Sequence, residues 1–126
     1  MKIETLSIVA GTAACNASCP YCISKMTPKQ GVDFQEPEVN WRNFEKACRL
    51  AQVNQVSNVI ITGKGEPTLF PEQITKFLEN LEKFNFPVIE LQTNSLTLLD
   101  KKYENYLKKW YELGLTIISI SIVHYE

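Results

Sequence analysis

The chain has 126 residues, of which 44% are hydrophobic, so it is long enough for one domain with a buried core. It is shorter than the roughly 200 residues that a complete eight-stranded α/β barrel needs. The 13 basic and 14 acidic residues give a net charge of -1, with no dense basic run and no stretch near the roughly 18 apolar residues of a membrane span. The composition therefore predicts neither a nucleic-acid surface nor a membrane protein, and we expect a cytoplasmic protein whose thiols stay reduced.

The first predicted element is a strand at residues 5–10, a short β-branched run that leads into a cysteine-rich loop. Cys15, Cys19 and Cys22 follow within a few residues of one another. Disulfides need Cβ atoms about 3.5 to 4.5 Å apart and would leave one thiol over, so this spacing favours a metal. A structural zinc site needs a fourth ligand, whereas a cubane iron-sulfur cluster on three thiolates keeps one iron open to an exogenous ligand.

Loop, helix and strand patterns alternate after the cysteines. Residues 23–40 have no hydrophobic period and are predicted as a loop, either a lid or a plain connector. The elements predicted next are, in order, a helix capped by Asn40, a strand at 58–62, a helix opened by Pro71, a strand at 88–93, a helix capped by Asp100 that ends at Gly114, and a strand at 116–123. Alternation of strands with amphipathic helices predicts a parallel sheet of about four strands with three helices, an α/β fold.

Three apolar helix faces are predicted to cover this sheet. The first contains Trp41, Phe44, Ala47, Cys48 and Ala51; the second, Ile74, Phe77, Leu78, Leu81 and Phe84; the third, Tyr103, Tyr106, Leu107, Trp110 and Leu113. Cys48 lies on the first face, and we interpret it as a small buried hydrophobe rather than a metal ligand.

Unusual segments follow several strands, at the edge where parallel α/β folds carry their chemistry. Residues 62–69 read Thr-Gly-Lys-Gly-Glu-Pro-Thr-Leu, and residues 92–98 read Gln-Thr-Asn-Ser-Leu-Thr-Leu. Glycine at a strand end lets a backbone approach a ligand, although a glycine-rich turn before proline also makes an ordinary strand-to-helix connection. Thr93 and Asn94 likewise suit either a ligand contact or a hydrogen-bonded turn.

Alternation along the last two predicted strands indicates a polar cavity. Ile118, Ile120 and Ile122 are expected to face the helices. The opposite face then carries Glu90, Gln92, Ser119 and Ser121, which is too polar for a hydrophobic barrel core and is typical of a ligand cavity. His124, the single histidine, is interpreted as structural or solvated, with a substrate-side proton carrier as the other reading.

The cysteine spacing, with Tyr21 directly before the last thiol, resembles the cluster motif of the radical S-adenosylmethionine (radical SAM) enzymes. Residues 62–69 resemble the Gly-Gly-Glu-Pro motif of that family in a Gly-x-Gly-Glu-Pro form, with Lys64 between the glycines. Residues 92–98 are similar to its Thr-Asn-Gly-x-Leu segment, with Ser95 where glycine is usual.

This resemblance covers essentially the whole chain, residues 1–126, as the first four strands of a six-stranded partial (β/α) barrel, with a cluster loop at 11–23. It implies that Cys15, Cys19 and Cys22 hold a [4Fe-4S] cluster whose fourth iron binds SAM. It also implies SAM contacts from Tyr21, Gly65, Glu66, Asn94 and Ser121, with Ser121 toward the ribose.

The implied function is reductive cleavage of SAM to a 5′-deoxyadenosyl radical that abstracts hydrogen from a substrate, with an electron donor such as flavodoxin or ferredoxin. The alternative is a non-catalytic zinc or iron-sulfur module, or an inactive SAM-binding fragment. Only three residues follow the fourth predicted strand, so we expect its edge to self-associate or to pair with a second chain that completes the barrel.

Overall fold

Four strands and three α-helices make up the part of the chain that the computed structural model describes, which is residues 2–12, 15 and 35–122. The elements are β1 (Thr5–Val9), α1 (Trp41–Val53), β2 (Asn58–Thr62), α2 (Pro71–Leu81), β3 (Val88–Thr93), α3 (Tyr103–Glu112) and β4 (Ile117–Ile120). Short 3₁₀ turns lie at Pro67–Leu69, Glu82–Phe84 and Leu96–Leu99. The predicted bounds of β2 and β3 are confirmed, and β1 ends one residue earlier than predicted.

The strands form one parallel sheet in the order β1-β2-β3-β4. Neighbours in the sheet are therefore also neighbours along the chain, which is what right-handed strand-helix-strand crossovers produce. Across the described residues the sheet is open, so the predicted α/β fold with an incomplete barrel is confirmed.

One face of the sheet carries the hydrophobic core. The register places Ile8 beside Ile61 and continues that row to Leu91, and these three side chains share a buried cluster with Ile74 of α2 and Trp110 of α3. Burying a side chain of this size contributes about 1.5 to 3 kcal/mol, so this row explains why the helices pack on the same face.

Helix α1 starts where its capping residue predicts. The Asn40 side chain accepts a hydrogen bond from the backbone nitrogen of Asn43 at 3.1 Å. Cys48 and Ala51 are buried as predicted, but Ala47 is exposed because α1 meets the core along a narrower stripe than the sequence pattern indicated. No helix in the described ranges is both long and apolar enough to cross a membrane.

The predicted cap of the third helix is wrong by two residues, because the capping position is Lys102 rather than Asp100. Helix α3 begins at Tyr103, and Asp100 instead forms a turn ahead of it, with its side chain accepting from the Lys102 nitrogen at 3.1 Å and its carbonyl from the Tyr103 nitrogen at 3.0 Å. The helix ends at Glu112, and Gly114 follows with a φ of +111°, the left-handed conformation that glycine supplies after a helix.

Strand β4 is shorter than the predicted 116–123. At its start the Thr116 hydroxyl accepts from the Ile89 nitrogen at 2.7 Å, so a side chain takes the place of the next ladder bond. At its end the Ser121 nitrogen donates to the Thr93 carbonyl at 2.9 Å. Residues 123–126, with His124, lie outside the described residues.

The isoleucines of β4 face the core side but are not covered. Ile118 pairs with the buried Leu91 and Ile120 with the buried Thr93, yet the two isoleucines are 37% and 52% exposed. The predicted direction of these side chains is confirmed. They were also expected to pack against helices, but no helix in the described part of the chain buries them.

Candidate functional site

The segments that follow β1, β2 and β3 are hydrogen-bonded to one another at one rim of the sheet. The Gly65 nitrogen donates to the Thr12 carbonyl at 3.1 Å. The Asn94 nitrogen donates to Oε1 of Glu66 at 2.8 Å. The three segments that the sequence singled out after these strands are therefore neighbours in one site.

Two glycines allow this close approach of backbones. Gly11 has a φ of +70°, and a Cβ atom there would lie 2.4 Å from the Phe70 ring, so a larger residue does not fit. A Cβ on Gly63 would lie 3.0 Å from the Ala10 carbonyl. The first glycine of the Gly-x-Gly-Glu-Pro segment is thus needed for packing between the ends of β1 and β2.

Cys15 is exposed at this rim, beside the end of β3. The side-chain nitrogen Nδ2 of Asn94 lies 3.8 Å from Sγ of Cys15, within reach of a weak N–H···S hydrogen bond. The amide oxygen of Asn94 accepts from the Leu96 nitrogen at 3.1 Å, which orients the amide so that its nitrogen faces the thiol. Tyr21, Cys19 and Cys22 lie outside the described residues.

Glu66 is a buried carboxylate whose two oxygens both accept hydrogen bonds. Oε2 accepts from the Thr68 nitrogen at 3.0 Å, from the Thr68 hydroxyl, and from the Thr93 hydroxyl at 2.5 Å. Oε1 accepts from the Asn94 nitrogen. Because a buried charge is tolerated only when it is well paired with donors, this carboxylate locks the end of β2 to the end of β3.

The hydroxyl of Thr68 extends this network to the base of α3. Its oxygen lies 2.5 Å from the hydroxyl oxygen of Thr97, and the Thr68 carbonyl accepts from the Tyr103 hydroxyl at 2.7 Å. Burial, followed by the nearby charges of Asp100 and Glu66, raises the pKa of Tyr103 and so favours the protonated hydroxyl that donates this bond.

A second polar group lies on the sheet face opposite the core. The Glu90 carboxylate accepts from the Ser119 hydroxyl at 3.0 Å and from the Gln92 side-chain nitrogen at 3.2 Å. These are three of the four residues predicted to line a polar cavity on this side of the sheet, which we call the inner face. The fourth, Ser121, is exposed one residue beyond the end of β4. The predicted alternation of β3 and β4 is confirmed.

Cys48 lies apart from both polar groups. Its side chain is fully buried in the hydrophobic core, and this burial raises the pKa of its thiol to about 11. A thiol held neutral in an apolar environment is a poor metal ligand, because metals bind thiolates.

The sequence matches the family model of the radical SAM superfamily over residues 9–126. The chain belongs to the radical SAM superfamily. No curated protein matches the sequence. Among solved structures, a crystal structure of BtrN in complex with AdoMet and 2-DOIA superposes with a TM-score of 0.71 at 16% sequence identity.

That match covers 100% of this radical SAM chain and 49% of the BtrN chain, so this chain spans about half the length of that structure. At this identity the similarity establishes the fold. The family predicted from the cysteine spacing and the two rim segments is confirmed.

The radical SAM rim contains one contact residue that the sequence pattern did not single out, Thr68. Its hydroxyl contacts the Glu66 carboxylate, as does the hydroxyl of Thr93, which was predicted to make either a ligand contact or a turn. A signal for Thr68 was present, since it lies in the turn after β2, two residues beyond Glu66. The assignments of Gly65, Glu66, Asn94 and Ser121 to SAM remain predictions.

Proposed function

We propose that this chain carries the cluster-binding and SAM-binding part of a radical SAM enzyme, with Cys15, Cys19 and Cys22 as ligands of one [4Fe-4S] cluster. When bound, the cluster and SAM would supply reductive cleavage of the sulfonium by one electron, giving methionine and a 5′-deoxyadenosyl radical that takes a hydrogen atom from a substrate.

The 3.8 Å separation between Asn94 and Cys15 is the observation that carries the proposal. It joins Cys15 to the segment that follows β3, residues 92–98. The hydrogen bond from Gly65 to Thr12 joins the segment that follows β2, residues 62–69, to the start of the same cysteine loop. Cys15 is exposed and its neighbour offers an N–H donor, a setting that suits a thiolate ligand of an iron-sulfur cluster.

Main-chain groups of Gly65 and Glu66, rather than the Glu66 carboxylate, are proposed to meet the methionine end of SAM. Both carboxylate oxygens already accept hydrogen bonds from Thr68, Thr93 and Asn94. The side chain therefore holds the segment in place while the backbone is presented at the rim.

The inner face is proposed to take the rest of SAM and the substrate. Ser121 is proposed to lie toward the ribose, and Glu90, held by Ser119 and Gln92, offers a fixed acceptor for a hydroxyl or amino group. A pre-organised acceptor orients a ligand without a further cost in side-chain entropy.

A cluster of this kind also needs a reducing environment and a source of electrons. Thiolate ligands need a reducing compartment, which favours the cytoplasm. The electron is proposed to come from a carrier such as flavodoxin or ferredoxin. Tyr21, beside the last cysteine, is retained as a proposed SAM neighbour.

Anaerobic reconstitution with iron and sulfide, followed by a 5′-deoxyadenosine assay with SAM and a reductant, tests the function. Bound iron should be lost in Cys15→Ala and kept in Cys48→Ala, which serves as the matched control. Zinc without sulfide would point to a metal-binding module instead, and a SAM-binding cluster without 5′-deoxyadenosine would point to an inactive fragment.

A further inference from the structure

Gln73 is a buried polar side chain on the apolar face of α2. It is 1% exposed and lies four residues before Phe77 and eight before Leu81, both of which are in the hydrophobic core. A polar residue in that row needs partners for its amide group, because an unpaired buried amide is costly. The sequence position alone marks it as unusual.

The amide of Gln73 joins two segments that are distant in sequence. Its oxygen Oε1 accepts from the Gly11 nitrogen at 2.6 Å. Its nitrogen Nε2 donates to the Pro37 carbonyl at 2.9 Å. Gly11 lies two residues after the end of β1, and Pro37 lies four residues before the start of α1. One side chain therefore connects the residues on either side of the segment that contains Cys15, Cys19 and Cys22.

Neighbouring contacts support both ends of this connection. On the Gly11 side, the Phe70 ring lies directly against the glycine. On the Pro37 side, the Lys76 side chain forms an ion pair with Glu36 at 2.9 Å. Among Phe70, Gln73 and Lys76, it is Gln73 that hydrogen-bonds to both ends, because its buried amide has one acceptor atom and one donor atom.

We propose that Gln73 is a positioning residue that holds together the two ends of residues 11–37 and thereby stabilises the bound cluster. The connection to the cluster rests on the proposed function; the connection between the two ends does not. Holding the two ends of a chain segment close together lowers the entropy cost of bringing the cysteines within that segment to one cluster. Gln73 would act through the cysteines and does not itself contact the cluster.

Hydrogen exchange of the cluster-free protein tests the connection itself. Gln73→Met keeps the length of the side chain and removes both hydrogen bonds, so exchange of the Gly11 amide should accelerate about tenfold, the usual effect of losing a buried hydrogen bond. The amides of Asn43 and Phe44, which bond to Asn40 shortly after Pro37, should also exchange faster. Gln73→Glu keeps an acceptor for Gly11 but loses the donor to Pro37, so only the Asn43 and Phe44 amides should exchange faster.

Thr75→Val is the matched control. Thr75 is buried on the same helix, but its hydroxyl bonds to the Pro71 carbonyl and to the Trp110 side chain. The Thr75→Val substitution should lower the melting temperature of the protein without changing amide exchange at Gly11 or shortly after Pro37. Equal exchange in Gln73→Met and Thr75→Val, or faster exchange of the Gly11 amide in Gln73→Glu than in Gln73→Met, would overturn the proposal.

Cluster retention tests the second half of the proposal. In reconstituted protein, loss of the iron-sulfur absorbance to a chelator should be about tenfold faster in Gln73→Met than in Thr75→Val, the same factor as for one buried hydrogen bond. Equal rates would refute the link to the cluster. If the wild-type protein takes up no cluster, the proposed function fails, and the exchange experiment still decides whether Gln73 joins the two ends.

Discussion

The side-chain nitrogen of Asn94 lies 3.8 Å from the sulfur of Cys15, across 79 residues of sequence. The contact exists because β1 and β3 end at the same rim and because the Asn94 oxygen is already engaged by the Leu96 nitrogen. An N–H donor beside a ligand sulfur stabilises extra electron density on a cluster.

Removing this donor should lower the reduction potential of the cluster. In Asn94→Ala we expect a decrease of about 40 mV, the one-electron equivalent of about 1 kcal/mol of hydrogen bonding. A redox titration monitored by electron paramagnetic resonance, without SAM, measures it. Asn80→Ala, on α2 away from the rim, is the control, and equal potentials in the two variants would contradict the role given to Asn94.

Glu66→Gln should destabilise the fold. An amide in place of the carboxylate sets a donor against the Asn94 nitrogen or against the donors of Thr68 and Thr93, at a cost of about 2 kcal/mol. Urea unfolding measures the change. Glu79→Gln is the control, because Glu79 is exposed and its 3.8 Å ion pair with Lys109 contributes little. Similar unfolding free energies in both variants would show that the Glu66 network is not needed for stability.

Alkylation of the cluster-free protein at pH 8 should distinguish the two described cysteines. Cys15 is exposed, whereas burial raises the pKa of Cys48 to about 11, so labelling of Cys48 should be slower by a factor on the order of 100. Peptide mass spectrometry identifies the labelled thiols, and the urea-unfolded protein provides full labelling. Comparable rates at the two native cysteines would place Cys48 outside the core.

Tyr106 should make stability fall at high pH. Its hydroxyl donates to Glu72 at 2.5 Å, and this bond, followed by burial, raises its pKa from 10.0 to about 12. Between these values the unfolded chain loses a proton that the folded chain keeps, so the free energy of unfolding decreases as pH rises. Denaturation from pH 9.5 to about 12 should show a steeper decrease in the wild type than in Tyr106→Phe. Tyr111→Phe, at an exposed position of α3, should retain the wild-type slope; a wild-type slope in Tyr106→Phe as well would contradict this linkage.

The open edge of the sheet should drive association. Ile120, the last residue of β4, is 52% exposed, and Ile122 just after it is 70% exposed. The outer edge of β4 is unpaired within the described residues. Light scattering at several concentrations should show self-association that Ile120→Lys weakens. Val53→Lys, at an 80% exposed position on α1, should leave it unchanged. A stable monomer with strongly protected amides at 117–120 would instead mean that four strands suffice.

Much of the sheet was determined by local sequence. The bounds of β2 and β3, the Asn40 cap and the polar alternation along β3 and β4 were predictable, because each depends on the pattern within one short stretch of the chain. The family was predictable for the same reason, since the cysteine spacing and the Gly-x-Gly-Glu-Pro segment are local patterns.

The tertiary structure decided which partners these residues use. Sequence marked Glu66 as a ligand contact, but its carboxylate is engaged by two hydroxyls and two backbone nitrogens from two strand ends. It did not single out Gln73, whose two partners are 62 and 36 residues away. Such assignments depend on which strand ends become neighbours and how closely their backbones approach, and that is determined only when the helices pack on one face and bring the rim together.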